Sequence, residues 1–166
     1  MGIGRAELMI LLGAIAIFGR FMLTINTARF NTEFRVIAGE SQYVAASLAE
    51  SVINEISVKA FDHVTATFFL HGGVSGLTEP TFLGPESGEI YPDFNDIDDY
   101  HGMTLSDTAV NGIQYNLAVA VGYVDEDDWE ITINSKTLMK RLDVTVYSEH
   151  LPDSITISRV FSYYYQ

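Results

Sequence analysis

The chain has 166 residues, of which 48% are hydrophobic, so it is long enough for one domain with a core and too short for two ordinary domains. Its net charge of −13 excludes the basic surface that phosphate binding requires, so no nucleic acid is expected among its partners. The absence of cysteine excludes a disulfide framework, a thiolate metal site and a cysteine nucleophile.

The net charge is divided unevenly along the chain. Residues 1–61 contain five basic and five acidic residues and are neutral overall. Residues 62–166 contain four basic and 17 acidic residues, and therefore carry the whole net charge of −13. We therefore expect the two parts to meet different surroundings.

The first predicted element is an apolar helix. Residues 8–25, LMILLGAIAIFGRFMLTI, contain a single charged residue, Arg20. As a helix this run would be about 27 Å long, close to the thickness of a bilayer core. A buried core helix or a secretion signal is the alternative, but a signal peptide breaks after its cleavage site, whereas the helical pattern continues here. Residues 1–26 are thus predicted to form an apolar helical segment that is a candidate membrane span.

Residues 27–61 are predicted to continue the same helix as an amphipathic one. No proline occurs between Thr24 and Phe61, and apolar residues recur every three or four positions. The recurring positions are Phe30, Phe34, Ile37, Ser41, Val44, Leu48, Val52 and Ile56. We therefore expect one helix over about residues 5–61, whose first half needs lipid or other helices and whose second half packs on a domain.

Residues 62–111 hold three of the four prolines and many Gly and Asp residues, which predicts an irregular loop region. Residues 112–166 are predicted to form an antiparallel sheet, because apolar residues alternate over 113–123, 129–133, 138–146 and 155–165. The last two strands should form a hairpin. The predicted fold class is α+β: a long N-terminal helix, apolar in its first half, packed by its second half on a small antiparallel sheet.

The packing between helix and sheet can be predicted in more detail. The helix residues should be Leu48, Val52 and Ile56. The strand residues facing them should be Leu117, Val119, Val144 and Val146. Both sets follow the periodicity of their own element.

The sequence contains no catalytic motif, so no enzymatic activity is expected. The four histidines, His63, His71, His101 and His150, show no metal-ligand spacing. Neither a nucleophile elbow nor a phosphate-binding loop is present.

The strongest candidate binding site in the sequence is the acidic segment 93–99. Five of its seven side chains bear oxygen atoms: Asp93, Asn95, Asp96, Asp98 and Asp99. Hard oxygen ligands suit calcium, so calcium is the one optional cofactor predicted, and none is required. The segment lacks the central Gly and terminal Glu of an EF-hand loop, and an ordinary solvated acidic loop is the alternative.

The order of elements, together with Glu7-Leu8-Met9-Ile10 at the start of the apolar run, resembles the type IV pilin and type II secretion pseudopilin superfamily. In that family a prepilin peptidase cuts after a Gly, the new N-terminal residue is methylated, and a Glu occupies the fifth mature position. The resemblance implies processing between Gly2 and Ile3, because Glu7 is the fifth residue counted from Ile3.

The resemblance also implies a function and a set of partners. The chain would be a structural subunit that resides in the bacterial inner membrane before assembly. It would then polymerise through its N-terminal helix, with identical or homologous subunits, into an extracellular or periplasm-spanning filament. The alternative is a single-pass anchored binding module that presents an acidic extracytoplasmic head and never polymerises.

Five residues of the first helix are candidates for subunit assembly. A carboxylate at membrane depth is costly unless paired, so Glu7 should meet either the N-terminal amine of a neighbouring subunit, as the resemblance implies, or Arg5. A location in the headgroup region beside Arg5 is the alternative. Arg20 would anchor the helix at the interface or pair between packed helices. Gly13 and Gly19 would permit close approach of a neighbouring helix, and the alternative is that they are ordinary lipid-facing residues of a lone anchor.

Overall fold

The computed structural model describes residues 4–70, 73–110 and 112–163, with the backbone alone of Phe34. Its helices are α1 (Arg5–Ile56) and the short α2 (His63–Thr67). Its strands are β1 (Thr104–Thr108), β2 (Gln114–Val124), β3 (Thr132–Ile133), β4 (Met139–Tyr147) and β5 (Ile155–Ser162). This arrangement of a long N-terminal helix and an antiparallel sheet confirms the predicted α+β class.

The chain divides into two compact units at the boundary between Glu40 and Ser41. We call residues 5–40 the N-terminal segment and residues 41–163 the head. The N-terminal segment is helical throughout, with no chain reversal, as the lack of proline predicts. Helix α1 therefore contributes to both units.

The end of α1 differs from the prediction, since the helix stops at Ile56 rather than near Phe61. The following backbone pairs with a distant loop: Ala60 N donates to Asn95 O at 3.2 Å, and Ile97 N donates to Ala60 O at 2.9 Å. These backbone groups would be occupied within a continuing helix, so the pairing ends it. Asp62 then caps α2 through a capping box.

The sheet is antiparallel throughout, in the order β1-β2-β4-β5, with β3 paired to one end of β2. The predicted central strands and the β4–β5 hairpin are confirmed, and the register places Val119 opposite Val144. The strand predicted over residues 129–133 is shorter in the structure, where β3 has only two residues and Trp129 is exposed. Strand β1 lies within the segment expected to be loop, because its sequence TLSDT is almost wholly exposed and shows no apolar alternation.

The core of the head lies between the sheet and the last four turns of α1. The buried helix residues are Ala45, Ala49, Val52, Ile53 and Ile56. They share the core with buried strand residues that include Leu117, Val119, Leu142, Val144 and Val146. Val52 and Ile56 were predicted there, whereas Leu48 is half-buried at the margin and small alanines occupy the centre of the helix face.

Candidate functional site

The N-terminal segment exposes many large apolar side chains, most of them in residues 8–25. Large side chains on all sides of the helix are solvent-accessible, including Met9, Ile10, Ile17, Leu23 and Phe30, each at about 70% exposure. An amphipathic surface helix would bury one face, whereas this one buries almost none. Helix α1 is long and apolar enough, by length and composition, to cross a membrane.

Three hydroxyl groups in the N-terminal segment are satisfied within the helix itself. Thr24 Oγ1 donates to Arg20 O at 3.0 Å, and the hydroxyls of Thr27 and Thr32 donate in the same way to carbonyls four residues earlier. A hydroxyl that already has a partner costs less to transfer into an apolar environment. This segment can therefore enter lipid or a helix bundle without unpaired hydroxyls at these positions.

Glu7 lies in the first turn of α1, where Gly4 N donates to its Oε2 at 3.0 Å. This contact is the backward half of a capping box, in which an N3 carboxylate accepts from the N-cap amide. No ion pair between Arg5 and Glu7 occurs within the described residues. Glu7 therefore has a structural role in its own helix, and one of its oxygens remains available.

The remaining candidate assembly residues lie along the same exposed helix. Arg5 and Arg20 are exposed, and neither forms an ion pair in the part of the chain that the structure describes. A Cβ atom added at Gly13 or Gly19 would meet nothing within 4 Å, so neither glycine is required by contacts within the chain. The predicted processing residues Gly2 and Ile3, like His71, lie outside the described residues.

The head contains a buried cation between two carboxylates. Lys140 Nζ lies 2.8 Å from Asp62 Oδ2 and 2.7 Å from Asp98 Oδ1, and all three side chains are at most 1% exposed. Lys140 also donates to Phe61 O at 2.8 Å. The ammonium group thus has three close oxygen partners, and these contacts join the start of α2, the acidic segment and β4.

Burial and pairing act differently on the two carboxyls beside Lys140. Burial opposes ionisation of Asp62, but the charge of Lys140 and hydrogen bonds from Thr78 and Val64 hold its pKa below the usual range. Burial raises the pKa of Asp98 to about 6 even though Lys140 is adjacent. One lysine therefore stabilises the charge of Asp62 more effectively than that of Asp98.

A second group of acids gathers beside this ion pair. We call Glu86, Asp96 and Asp99 the carboxylate cluster; one oxygen from each lies within 4.8 Å of the other two. Asp96 and Asp99 are at most 1% exposed. Burial, and then the charges of Asp98 and Asp99, raise the pKa of Asp96 to about 8. Burial, and then a hydrogen bond with Glu89, raise the pKa of Glu86 to about 7.

One oxygen of each aspartate in this cluster accepts hydrogen bonds from backbone N–H groups. Asp96 Oδ1 accepts from Asp98 N at 2.7 Å, and Asp99 Oδ2 accepts from Asn95 N at 2.8 Å. Asp96 Oδ2 and Asp99 Oδ1 are buried atoms without a hydrogen-bond partner among the described residues, and Glu86 Oε2 is buried within 3.5 Å of His63 Nδ1. The backbone thus fixes the two aspartates and leaves one oxygen of each free to bind something else.

The structure brings together only part of the predicted metal site. Asp96 and Asp99 belong to the carboxylate cluster, while Asp98 contacts Lys140 and Asp93 is exposed. Asn95 engages Asp99 through its backbone and Glu89 through its side chain. The acidic segment is therefore divided between an ion pair and a cluster rather than forming one ligand loop.

Sequence analysis did not identify four residues of this region. Lys140 could have been identified from the sequence. It follows the two-residue spacing of the buried residues Leu142, Val144 and Val146 on the same face of β4, where a charged side chain needs a partner. Glu86 and Glu89 lie in an irregular loop whose path no periodicity predicts. His63, expected to have no metal role, lies at the margin of the cluster, with Nδ1 3.5 Å from Glu86 Oε2.

Comparison of the chain with protein families, with curated proteins and with solved structures returns no match.

Proposed function

We propose that this protein is a structural subunit of a type IV pilus-like or pseudopilus filament and that it polymerises through the N-terminal segment. The observation that carries the proposal is the exposed apolar surface of residues 8–25, which no other part of the described chain covers. Such a surface requires lipid or other helices. The role is structural rather than catalytic.

The distribution of charge supports the same proposal. Residues 1–61 are neutral overall, whereas residues 62–166, which include most of the head, carry a charge of −13. In the proposed life cycle, the segment lies in the bacterial inner membrane before assembly. It then packs against identical or homologous subunits in the filament core, while the acidic head faces solvent outside the cytoplasm.

The alternative is a single-pass anchored module that binds a ligand through its acidic head and does not polymerise. One observation favours it: Glu7 already caps its own helix through Gly4 N, so its carboxylate does not depend on a neighbouring subunit. Both functions need the exposed helix, and they differ in whether that helix leaves the membrane.

Electron microscopy of producing cells distinguishes the two functions. Antibody raised against the head should label filaments on the cell surface or in material sheared from it, and a strain lacking the gene should show none. Labelling confined to the cell envelope, with no filaments at normal subunit levels, would support the anchored module instead.

A further inference from the structure

Lys140 Nζ lies against the carboxyl group of Asp98 as a whole rather than against one of its oxygens. Nζ is 2.7 Å from Oδ1 and 2.8 Å from Oδ2, and Oδ1 accepts no hydrogen bond from the described residues. Two distances so nearly equal place Nζ about 3 Å from the carboxyl carbon, the separation at which a bound nucleophile can attack. The ion pair is therefore also a contact between an amine and a carbon atom that it can attack.

The surroundings of this contact are dry and aromatic. The side chains of Lys140 and Asp98 are at most 1% exposed. The ring centroids of Phe61 and Tyr123 lie 4.5 Å and 5.0 Å from Nζ. Desolvation favours the neutral forms of both groups, an amine and a carboxylic acid, and these are the forms that can condense. Exclusion of bulk water also protects an amide bond from hydrolysis.

Asp62 lies where it can take a proton from Lys140. Its Oδ2 is 2.8 Å from Nζ, and its side chain is 1% exposed. Thr78 donates to both of its oxygens, from N to Oδ2 at 3.0 Å and from Oγ1 to Oδ1 at 3.3 Å. These contacts hold the carboxylate of Asp62 within hydrogen-bond reach of the amine, as a general base requires.

We propose that Lys140 and Asp98 form an isopeptide bond inside the folded head, with Asp62 as the general base. Asp62 takes a proton from the ammonium group, and the free amine attacks Cγ of the protonated Asp98 carboxyl group. The N–C bond forms and the C–O bond to the hydroxyl group breaks. Asp62 gives its proton to the departing hydroxyl group, which leaves as water, and then accepts a second proton from the nitrogen. The products are a neutral amide, one water molecule and protonated Asp62, so atoms and charge balance without a co-reactant.

The isopeptide bond would join the acidic segment covalently to β4. Asp98 and Lys140 are 42 positions apart, and the chain between them contains β1, β2 and β3. A covalent link that closes such a loop restricts the unfolded chain, as a disulfide does. The chain has no cysteine with which to form a disulfide. The bond would therefore stabilise the head whether or not the protein assembles into a filament.

The test uses the wild-type full chain, purified in detergent and recovered as the monomer from a denaturing gel. The chain is digested with trypsin and chymotrypsin, so that Asp62 and Asp98 fall in different peptides, and the peptides are identified by tandem mass spectrometry. We expect a linked pair of peptides that contain Lys140 and Asp98 and together weigh one water molecule less than the two separate peptides. Absence of this pair, or a link from Lys140 to Asp62 in its place, would overturn the proposal.

An exposed ion pair in the same chain provides a matched control. Lys136 Nζ lies 2.7 Å from Glu79 Oε1, but the side chain of Glu79 is 58% exposed. Water surrounds this pair, so we expect no link between Lys136 and Glu79. A linked pair of these peptides at the same yield would show that any ion pair condenses during handling, and it would contradict the assignment of a specific site.

Four substitutions assign the roles. Lys140→Arg keeps the positive charge but should lose the linked peptides, because a guanidinium group stays protonated, and Asp98→Ala should lose them as well. Asp62→Asn should lower the linked fraction in freshly purified protein at least about tenfold, because it removes the general base. Lys136→Arg should keep the wild-type fraction. A wild-type linked fraction in Asp62→Asn would contradict the role of Asp62. Should the variants not fold, the linked peptides of the wild-type digest still decide whether the bond exists.

Discussion

Residues 5–40 and residues 41–56 belong to the same helix α1, yet their side chains meet opposite surroundings. In the first part Ile17 is 74% exposed, whereas in the second part Ile53 is 1% exposed. Both parts contain good helix formers, so propensity gives both the same backbone. The comparison shows that helix α1 combines a part stabilised by its own core with a part whose apolar surface requires an external partner.

Residues 5–40 and the head also differ in how their polar side chains find hydrogen-bond partners. The threonines of residues 5–40 bond to carbonyls of their own helix, so they need nothing from outside it. The head instead buries Lys140 with Asp62 and Asp98, whose partners come from distant parts of the chain. Polar changes in the head should therefore be costly, and equivalent changes in residues 5–40 should not affect its stability.

The largest expected effect comes from Lys140→Met. Without the ammonium group, Asp62 and Asp98 would be buried without a positive partner, which should cost about 3–5 kcal/mol of the free energy of unfolding. Urea unfolding of the full chain in detergent, followed by the near-ultraviolet signal of the buried tyrosines, measures it. Arg20→Met, which removes a cation from residues 5–40, should leave the free energy of unfolding unchanged. An equal loss of stability in Arg20→Met would contradict the difference between the two regions.

A smaller effect is expected from truncating the same residue type in the two parts of α1. Ile53→Ala should leave a cavity between helix and sheet and destabilise the head by about 2–4 kcal/mol. Ile17→Ala should not change unfolding of the head, since Ile17 has no part in its core. The same urea experiment compares them, and a wild-type result for Ile53→Ala would show that the core is wrongly placed.

The smallest stability effect concerns two glycines. A Cβ at Gly122 would lie 2.7 Å from Thr132 Cγ2, so Gly122→Ala should displace the short strand β3 at a cost of about 1 kcal/mol. Adding Thr132→Ser, which removes that methyl group, should recover part of the loss. Gly39→Ala meets nothing within 4 Å and should not lower the melting temperature. Thermal unfolding of the three variants provides the measurement.

Most of the fold could be predicted because the spacing of apolar residues along the sequence follows which side chains are buried. Strand β2 alternates between buried and exposed positions, and the apolar run that opens α1 is unmistakable in the sequence. Strand β1 was missed because an exposed edge strand has no buried face to produce alternation. The end of α1 was misplaced because it depends on pairing with residues 95–97, a contact between distant parts of the chain.

The candidate site in the head was predictable only in part, for the same reason. Local composition identified Asp96 and Asp99, but their neighbour Asp98 contacts Lys140, which lies 42 residues later. Glu86 joins the carboxylate cluster from an irregular loop, and no spacing rule relates such a loop to the acidic segment. Composition locates acidic residues, whereas tertiary contacts decide which of them share a site.

The most direct test of the proposed function is the yield of filaments from cells carrying Glu7→Gln. Glutamine at this position can still accept from Gly4 N and cap the helix, but it has no charge with which to pair a neighbouring subunit. The ratio of sheared filament to total subunit is measured by quantitative immunoblotting. Glu33→Gln, farther along the same exposed helix, is the matched control.

Glu7→Gln removes one charged contact from every proposed subunit interface. The ratio of sheared filament to total subunit should therefore fall at least about tenfold, while the level of membrane-inserted subunit stays normal. Glu33→Gln should assemble as the wild type does. A wild-type ratio for Glu7→Gln would contradict the account, because Glu7 would then serve only to cap its own helix.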